Sequence, residues 1–218
     1  MMSIREIYNV VLVKLKRREV LPSQYINSRN CIDCKEKLVV LEGKNIYNWS
    51  GENLYGRESV VTKIKQIASI LATQGLAIIV YELYRSADKQ NKMRMEQKEI
   101  LQQQYPEYNE RQISTLLNRR ISSEGGGHQT GGAIDLTICT ANGEALDMGT
   151  SYLEFNTYTP TNSSLLSTKP KENRALLVSV MKDAGFVNYP LEWWHYSYGD
   201  KMWAAYSNAP TAIYGNVK

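Results

Sequence analysis

Apolar positions fall along the chain in two different periods. Short apolar runs at 10–13 and 38–41 read as strands, and Asn48, Ser50, Gly51 and Asn53 then mark a loop. From Ser59 the period turns helical. Val61, Ile64, Ala68 and Leu71 recur at steps of three and four, and Gly75 stands where a C-terminal cap belongs. The continuous apolar run 76–84 is short enough for a buried strand, which would deliver the Arg85 guanidinium at its end. The stretch 88–120 is polar, with sparse apolar positions such as Met93, Ile100, Ile113, Leu116 and Leu117. It predicts one or two surface helices interrupted near Pro106.

Gly125, Gly126 and Gly127 predict a flexible loop, followed by a strand at 133–138. Asn142 and Gly143 form a turn signal that would fold the chain back into a hairpin at 145–148. A loop at 160–170, a helix at 171–184 closed by Gly185 and a final aromatic strand at 191–198 complete the pattern. Strands and helices do not alternate strictly, which predicts an α+β fold. The expected organisation is one domain over 1–218 with a polar helical insertion at about 88–120.

Composition narrows the class. At 218 residues, 43% apolar and 22% charged, the chain can bury a core without disulfides. Its 15 Tyr against 2 Phe suit a groove lined by hydroxyls and a tyrosine-rich core equally. The net charge of +4 comes from 26 basic and 22 acidic residues, too mild a balance for a nucleic-acid partner. The densest basic run, Lys14, Lys16, Arg17 and Arg18, reads as a solvated face. No apolar stretch reaches the ~18 residues of a membrane span, and the start lacks the ~7–15-residue apolar segment of a secretory signal. Three cysteines, Cys31, Cys34 and Cys139, argue against a disulfide scaffold, so the expected address is the cytoplasm. The Cys31-x-x-Cys34 pair has no second pair and reads as structural or incidental.

The chain's two histidines focus the chemistry. His128 lies in Gly126-Gly127-His128-Gln129-Thr130-Gly131-Gly132-Ala133-Ile134-Asp135, and His195 in Glu192-Trp193-Trp194-His195-Tyr196. Catalytic zinc takes three protein ligands and keeps a fourth position for water, and His128, Asp135 and His195 supply such a set. His128 and Asp135 stand seven apart, which on an unbroken strand would put them on opposite faces; Gly131-Gly132 supplies the break. Asp135 then shares a face with Ala133 and Thr137, while Ile134, Leu136 and Ile138 pack behind. Glu192 would have to sit at a strand entry or bulge to act as general base on a water whose pKa zinc lowers to about 7. Arg85 is the candidate for steadying negative charge on a tetrahedral intermediate. Each residue alone would read as an ordinary packed or surface group; together they form a pattern.

That pattern resembles the zinc D-Ala-D-Ala metallopeptidases, whose S-x-H-x-x-G-x-A-x-D and E-x-x-H signatures it matches in order. The dipeptidase branch is the nearest likeness, extending over roughly 45–200 through Tyr84-Arg85, Asp147-Met148-Gly149-Thr150 and Asn173-Arg174. The resemblance implies a central antiparallel sheet flanked by helices and one zinc held by His128, Asp135 and His195. It also implies Glu192 as base, Arg85 at the transition state, and a small D-amino-acid peptide, D-alanyl-D-alanine or a close dipeptide, as substrate. Two positions depart from it. Gly126 replaces the leading serine, and Leu153 stands where dipeptidases carry an acid for the substrate ammonium, with Glu154 next to it as the alternative. His128-Gln129-Thr130-Gly131 is also similar to the carboxypeptidase branch, which trims longer wall peptides. A third expectation, a zinc-stabilised binding domain without catalysis, is disfavoured by Glu192 and Arg85 and by the lack of a fourth ligand.

Overall fold

Ser3 and Glu6 decide the fate of the first apolar run. In the computed structural model, which describes residues 2–15, 18–122 and 126–217, the Ser3 hydroxyl accepts from the Glu6 backbone N–H at 3.2 Å. Glu6 Oε2 accepts from the Ser3 backbone N–H at 2.7 Å, which closes a reciprocal cap. The run 10–13 is therefore helical, not extended: it lies inside α1 (Ile4–Lys14), whose Val10 packs with Leu21 and Ala205. Lys16 and Arg17 of the basic run, and Gly125 of the predicted glycine loop, lie outside the described residues. Helix α2 (Ser23–Asn27) follows, then β1 (Leu38–Val40), β2 (Ile46–Asn48) and β3 (Tyr55–Arg57), with β1 and β3 paired as an antiparallel ribbon.

The helical period from Ser59 becomes α3 (Glu58–Ala72), which buries Val60, Val61, Ile64, Ile67, Ala68 and Leu71 along one face. Strand β4 (Leu76–Glu82) ends two residues before the apolar run does. The polar stretch forms two helices, α4 (Ala87–Gln104) and α5 (Glu110–Arg120), which share the small cluster Leu101, Ile113 and Leu117. After them come α6 (Gly127–Thr130), β5 (Ala133–Thr140), α7 (Thr168–Asp183), β6 (Val187–Asn188), β7 (His195–Ser197) and α8 (Lys201–Ser207). Five strands form one sheet in the order β2-β4-β5-β7-β6, antiparallel except where β2 runs parallel to β4. The main core lies where α3 and α7 cover this sheet: Ile64, Ile78, Leu136, Leu177 and Trp194 are all 0% exposed. Each such side chain contributes roughly 1.5–3 kcal/mol by leaving water.

Three boundaries differ from the apolar pattern. The return strand at 145–148 shrinks to a single bridge between Cys139 and Ala145. Helix α7 starts earlier than predicted and takes Pro170 into its first turn, where the missing N–H has no intrahelical partner to lose. The aromatic segment 191–198 is strand only over β7, and a turn precedes it.

Candidate active site

Strand register brings the site together. Asp135 on β5 pairs with His195 on β7 and, on its other side, with Glu82 on β4. His195 Nδ1 lies 2.9 Å from Asp135 Oδ1, His128 Nε2 lies 3.3 Å from the same oxygen, and the two ring nitrogens are 3.2 Å apart. The three ligand atoms lie within 4.8 Å of one another, and this is the one such cluster of His, Cys, Asp and Glu among the described residues.

His128 reaches that point from a single helical turn, α6, where the glycines predicted a loop. Gly127 cannot carry a side chain there, because its Cβ would stand 2.1 Å from Asp200 Oδ2 and 2.8 Å from the Ala133 Cβ. Gly131 ends the turn at φ 71°, where a Cβ would meet Leu38 Cδ2 at 2.5 Å. This turn lets residues seven apart converge. The His128 ring is fixed as well: Nδ1 donates to the Leu83 carbonyl at 2.7 Å, which turns Nε2 toward the cluster. Tyr152 donates its hydroxyl to Asp135 Oδ2 at 3.0 Å, leaving Oδ1 to the histidines. Burial alone would push the Asp135 carboxyl up, but the two histidines beside it outweigh burial and hold it well below the usual carboxylate range. Two imidazole nitrogens and a carboxylate, with Leu83 behind His128 and Tyr152 behind Asp135, match the donor set of a catalytic zinc site.

Glu192 sits in the turn ahead of β7, where the His195 N–H donates to the Glu192 carbonyl at 3.2 Å. That turn places residues three apart on the same side, which a strand could not do. Asn188 pins it by donating Nδ2 to the carbonyls of Glu192 at 3.1 Å and His195 at 3.0 Å. The Glu192 carboxyl is pushed up to about 8, chiefly by burial and further by the Asp135 charge, with His195 and Arg85 opposing. The segment after Met148 is tied to the same turn, since Trp193 Nε1 donates to Thr150 Oγ1 at 2.8 Å. Arg174, 2% exposed, donates to the carbonyls of Met148 and Pro160, each at 2.7 Å. Asn173-Arg174 thus serve to hold the loop that delivers Tyr152.

Arg85 is 6% exposed, with Glu82 Oε2 at 2.5 Å and Gln90 Oε1 at 2.7 Å, and its Nε has no partner. Lys89 adds a second cation at 3.2 Å from Glu82 Oε1. Removing Glu82 would leave the guanidinium buried beside a neutral amide. Glu82→Ala is therefore expected to cost about 3–5 kcal/mol, a fall in melting temperature on the order of 10 °C. Glu82→Gln, which keeps an acceptor in place, should cost less. Thermal denaturation of both variants checks this, and equal, small losses would show that the pair does not anchor Arg85.

His128, Asp135, His195, Glu192 and Arg85 all line one cavity of about 680 Å³. Leu153, at φ 60°, lines it too, whereas Glu154 is exposed and outside it. The Glu154 carboxylate is used within its own loop, accepting from the Ser151 N–H at 2.9 Å and from Asn156 Nδ2 at 2.8 Å. Cys31 and Cys34 are exposed free thiols that belong to no metal-binding cluster among the described residues. Tyr152, Asn188 and Glu82 are the site residues the sequence did not single out; of these only Glu82, three before Arg85, carried a local signal.

An α+β sheet that presents such a donor set beside a partly buried carboxyl of raised pKa is an arrangement suited to a metallopeptidase. The chain belongs to peptidase family M15, described as D-ala-D-ala dipeptidase, whose sequence pattern matches residues 40–212. It is 34% identical over 108 residues to a D-alanyl-D-alanine dipeptidase of Synechocystis, a match spanning 42% of this chain and 44% of that protein. To the Escherichia coli D-alanyl-D-alanine dipeptidase it is 28% identical over 156 residues, 72% of each chain. Among solved structures, VanYB in complex with D-alanine-D-alanine aligns with a TM-score of 0.51 at 17% identity, over 87% of this chain and 95% of that one. A mutant of the vancomycin-resistance D,D-pentapeptidase VanY in complex with Zn(II) gives 0.50 at 16% identity, over 88% and 89%. These likenesses establish the fold. No helix among the described residues is long and apolar enough to cross a membrane.

Proposed function

We propose that the chain is a zinc-dependent peptidase that hydrolyses the amide bond of a D-alanyl-D-alanine unit. The observation that carries this reading is the convergence of a His-Asp-His donor set with a carboxyl of raised pKa in a single cavity. His128 Nε2, His195 Nδ1 and Asp135 Oδ1 would hold one zinc per chain. Zinc there supplies a water acidified to a pKa near 7 and polarises the scissile carbonyl. Glu192 takes a proton from the attacking water at its carboxylate and hands it to the leaving amine. Arg85, kept in place by Glu82 and Gln90, has its Nε–H left over as a donor for the developing oxyanion. The family's description and the names of the relatives support D-Ala-D-Ala as the unit cut. Three free cysteines suit a cytoplasmic address.

Purified, zinc-loaded protein is expected to release alanine from D-alanyl-D-alanine or from a peptide ending in it, and to lose that activity in chelator. Ninhydrin detection of the freed amine follows both. Cleavage that persists once the metal is removed would rule out the zinc reading, and inactivity on every such peptide would favour a zinc-stabilised binding domain.

A further inference from the structure

Helix α1 turns an apolar row away from the body of the protein. Its packing contacts come from one side, where Val10 is buried with Leu21 and Ala205, and Val13 lies against them. On the other side Ile4 is 88% exposed, Ile7 53%, Tyr8 59%, Val11 46% and Leu15, at the cap, 59%. Successive helical residues turn by about 100°, so these five side chains share an arc of roughly 100°. Single exposed apolar residues are ordinary, whereas a contiguous row marks a contact surface.

Charge borders the row on both edges. The same rotation sets Arg5 on one flank and Lys14 on the other, both exposed. Lys14 Nζ lies 5.6 Å over the Tyr25 ring. Arg18 donates to Asn9 Oδ1 at 2.5 Å, which holds a third cation beside the helix. Glu6 is the one acid in α1, and Ser3 occupies it at the N-terminus. The 11 residues rise only about 16 Å, too short to span a hydrocarbon core of ~30 Å but sufficient to lie along its surface.

We propose that α1 is an in-plane docking helix for an anionic bilayer surface. Its apolar row enters the headgroup region while Arg5, Lys14 and Arg18 meet lipid phosphates. A second copy of the chain suits this face less well, because cations flank the row on both sides and would meet the cations of the copy. The cluster beneath α1 includes Ile26 of α2 and Ala205 of α8, and these two helices line the cavity through Ile26, Asn27, Lys201 and Met202. Docking therefore holds the bilayer one helical layer from the cavity, to which α1 itself contributes no lining residue. It does not depend on the peptidase function.

Co-sedimentation of the full chain with vesicles tests this, using phosphatidylcholine alone or an equal mixture with phosphatidylglycerol. The natural sequence is expected to partition roughly tenfold or more in favour of the anionic vesicles, and to lose that preference in high salt. R5Q/K14Q should weaken anionic binding on the order of 25-fold, about fivefold for each cation near the surface. I4S/Y8S should abolish it. All four side chains are exposed, so melting temperatures should match that of the natural sequence. If I4S/Y8S melts lower, R5Q/K14Q, which leaves the apolar row intact, decides alone. Equal binding to both vesicle types, anionic binding that survives in R5Q/K14Q, or no binding at all would overturn the proposal. So would a lipid-free dimer in place of vesicle binding that I4S/Y8S disperses in sedimentation velocity, which would assign the row to a second copy.

Discussion

Glu192→Gln is expected to lower peptide hydrolysis by roughly 10²–10⁴-fold, the usual contribution of a positioned general base, while zinc binding stays that of the natural sequence. Glutamine keeps the shape of the side chain and cannot take a proton. Glu192 is not one of the three convergent ligands, so the donor set is untouched. Burial explains why this carboxyl suits the task. At about 8 in the metal-free chain it holds its proton more tightly than an ordinary carboxyl, and a dication in the adjacent cluster favours the ionised form again. The same shift has a consequence for stability. Between the ordinary value of 4.5 and about 8, the folded carboxyl keeps a proton that the unfolded chain has released. Its contribution to stability therefore falls as pH rises through that window. Metal-free Glu192→Gln should lack this loss, which paired melting curves from pH 5 to 8 would show. A Glu192→Gln protein that hydrolyses peptide at the natural rate would exclude the proposed base role.

The site was legible in the sequence to the extent that its spacing is local. The helical period through Val61, Ile64, Ala68 and Leu71 became α3, because one apolar face met the sheet. The alternation around Asp135 also holds, since Ile134, Leu136 and Ile138 belong to the main core. What failed was local density without its flanking signals. The valines at 10–13 joined a helix because Ser3 and Glu6 cap it upstream. The E-W-W-H segment gave up half its predicted strand to a turn, because Asn188 captures two carbonyls there. Tyr152 and Glu82 act through contacts that only the assembled sheet and the loop held by Arg174 create. Glu154 shows the converse case, where a carboxylate at a suggestive position is used up by its own loop.

Asp135→Asn is expected to weaken zinc binding by more than the 10–100-fold typical of an outer-sphere change, and to abolish hydrolysis at limiting zinc. Asp135 is 2% exposed and sits between two imidazole nitrogens. Asparagine preserves its volume and can still accept from Tyr152, so packing survives while the one anionic ligand is lost. The comparison that isolates the charge is Tyr152→Phe. It removes only the hydroxyl on Asp135 Oδ2, so its effect should stay within that 10–100-fold range. Melting temperature gives a second readout. Zinc at a hundred times its dissociation constant stabilises the natural protein by about 2.7 kcal/mol, and the same concentration should hardly stabilise Asp135→Asn. Without metal the order can reverse, because the buried carboxylate then depends on the two histidines for compensation, and a neutral amide does not. Competition titration with a chromophoric chelator measures the affinity directly. An unchanged zinc affinity in Asp135→Asn would place the metal outside the His-Asp-His cluster; a loss confined to that variant, and milder in Tyr152→Phe, would place it on Asp135 Oδ1.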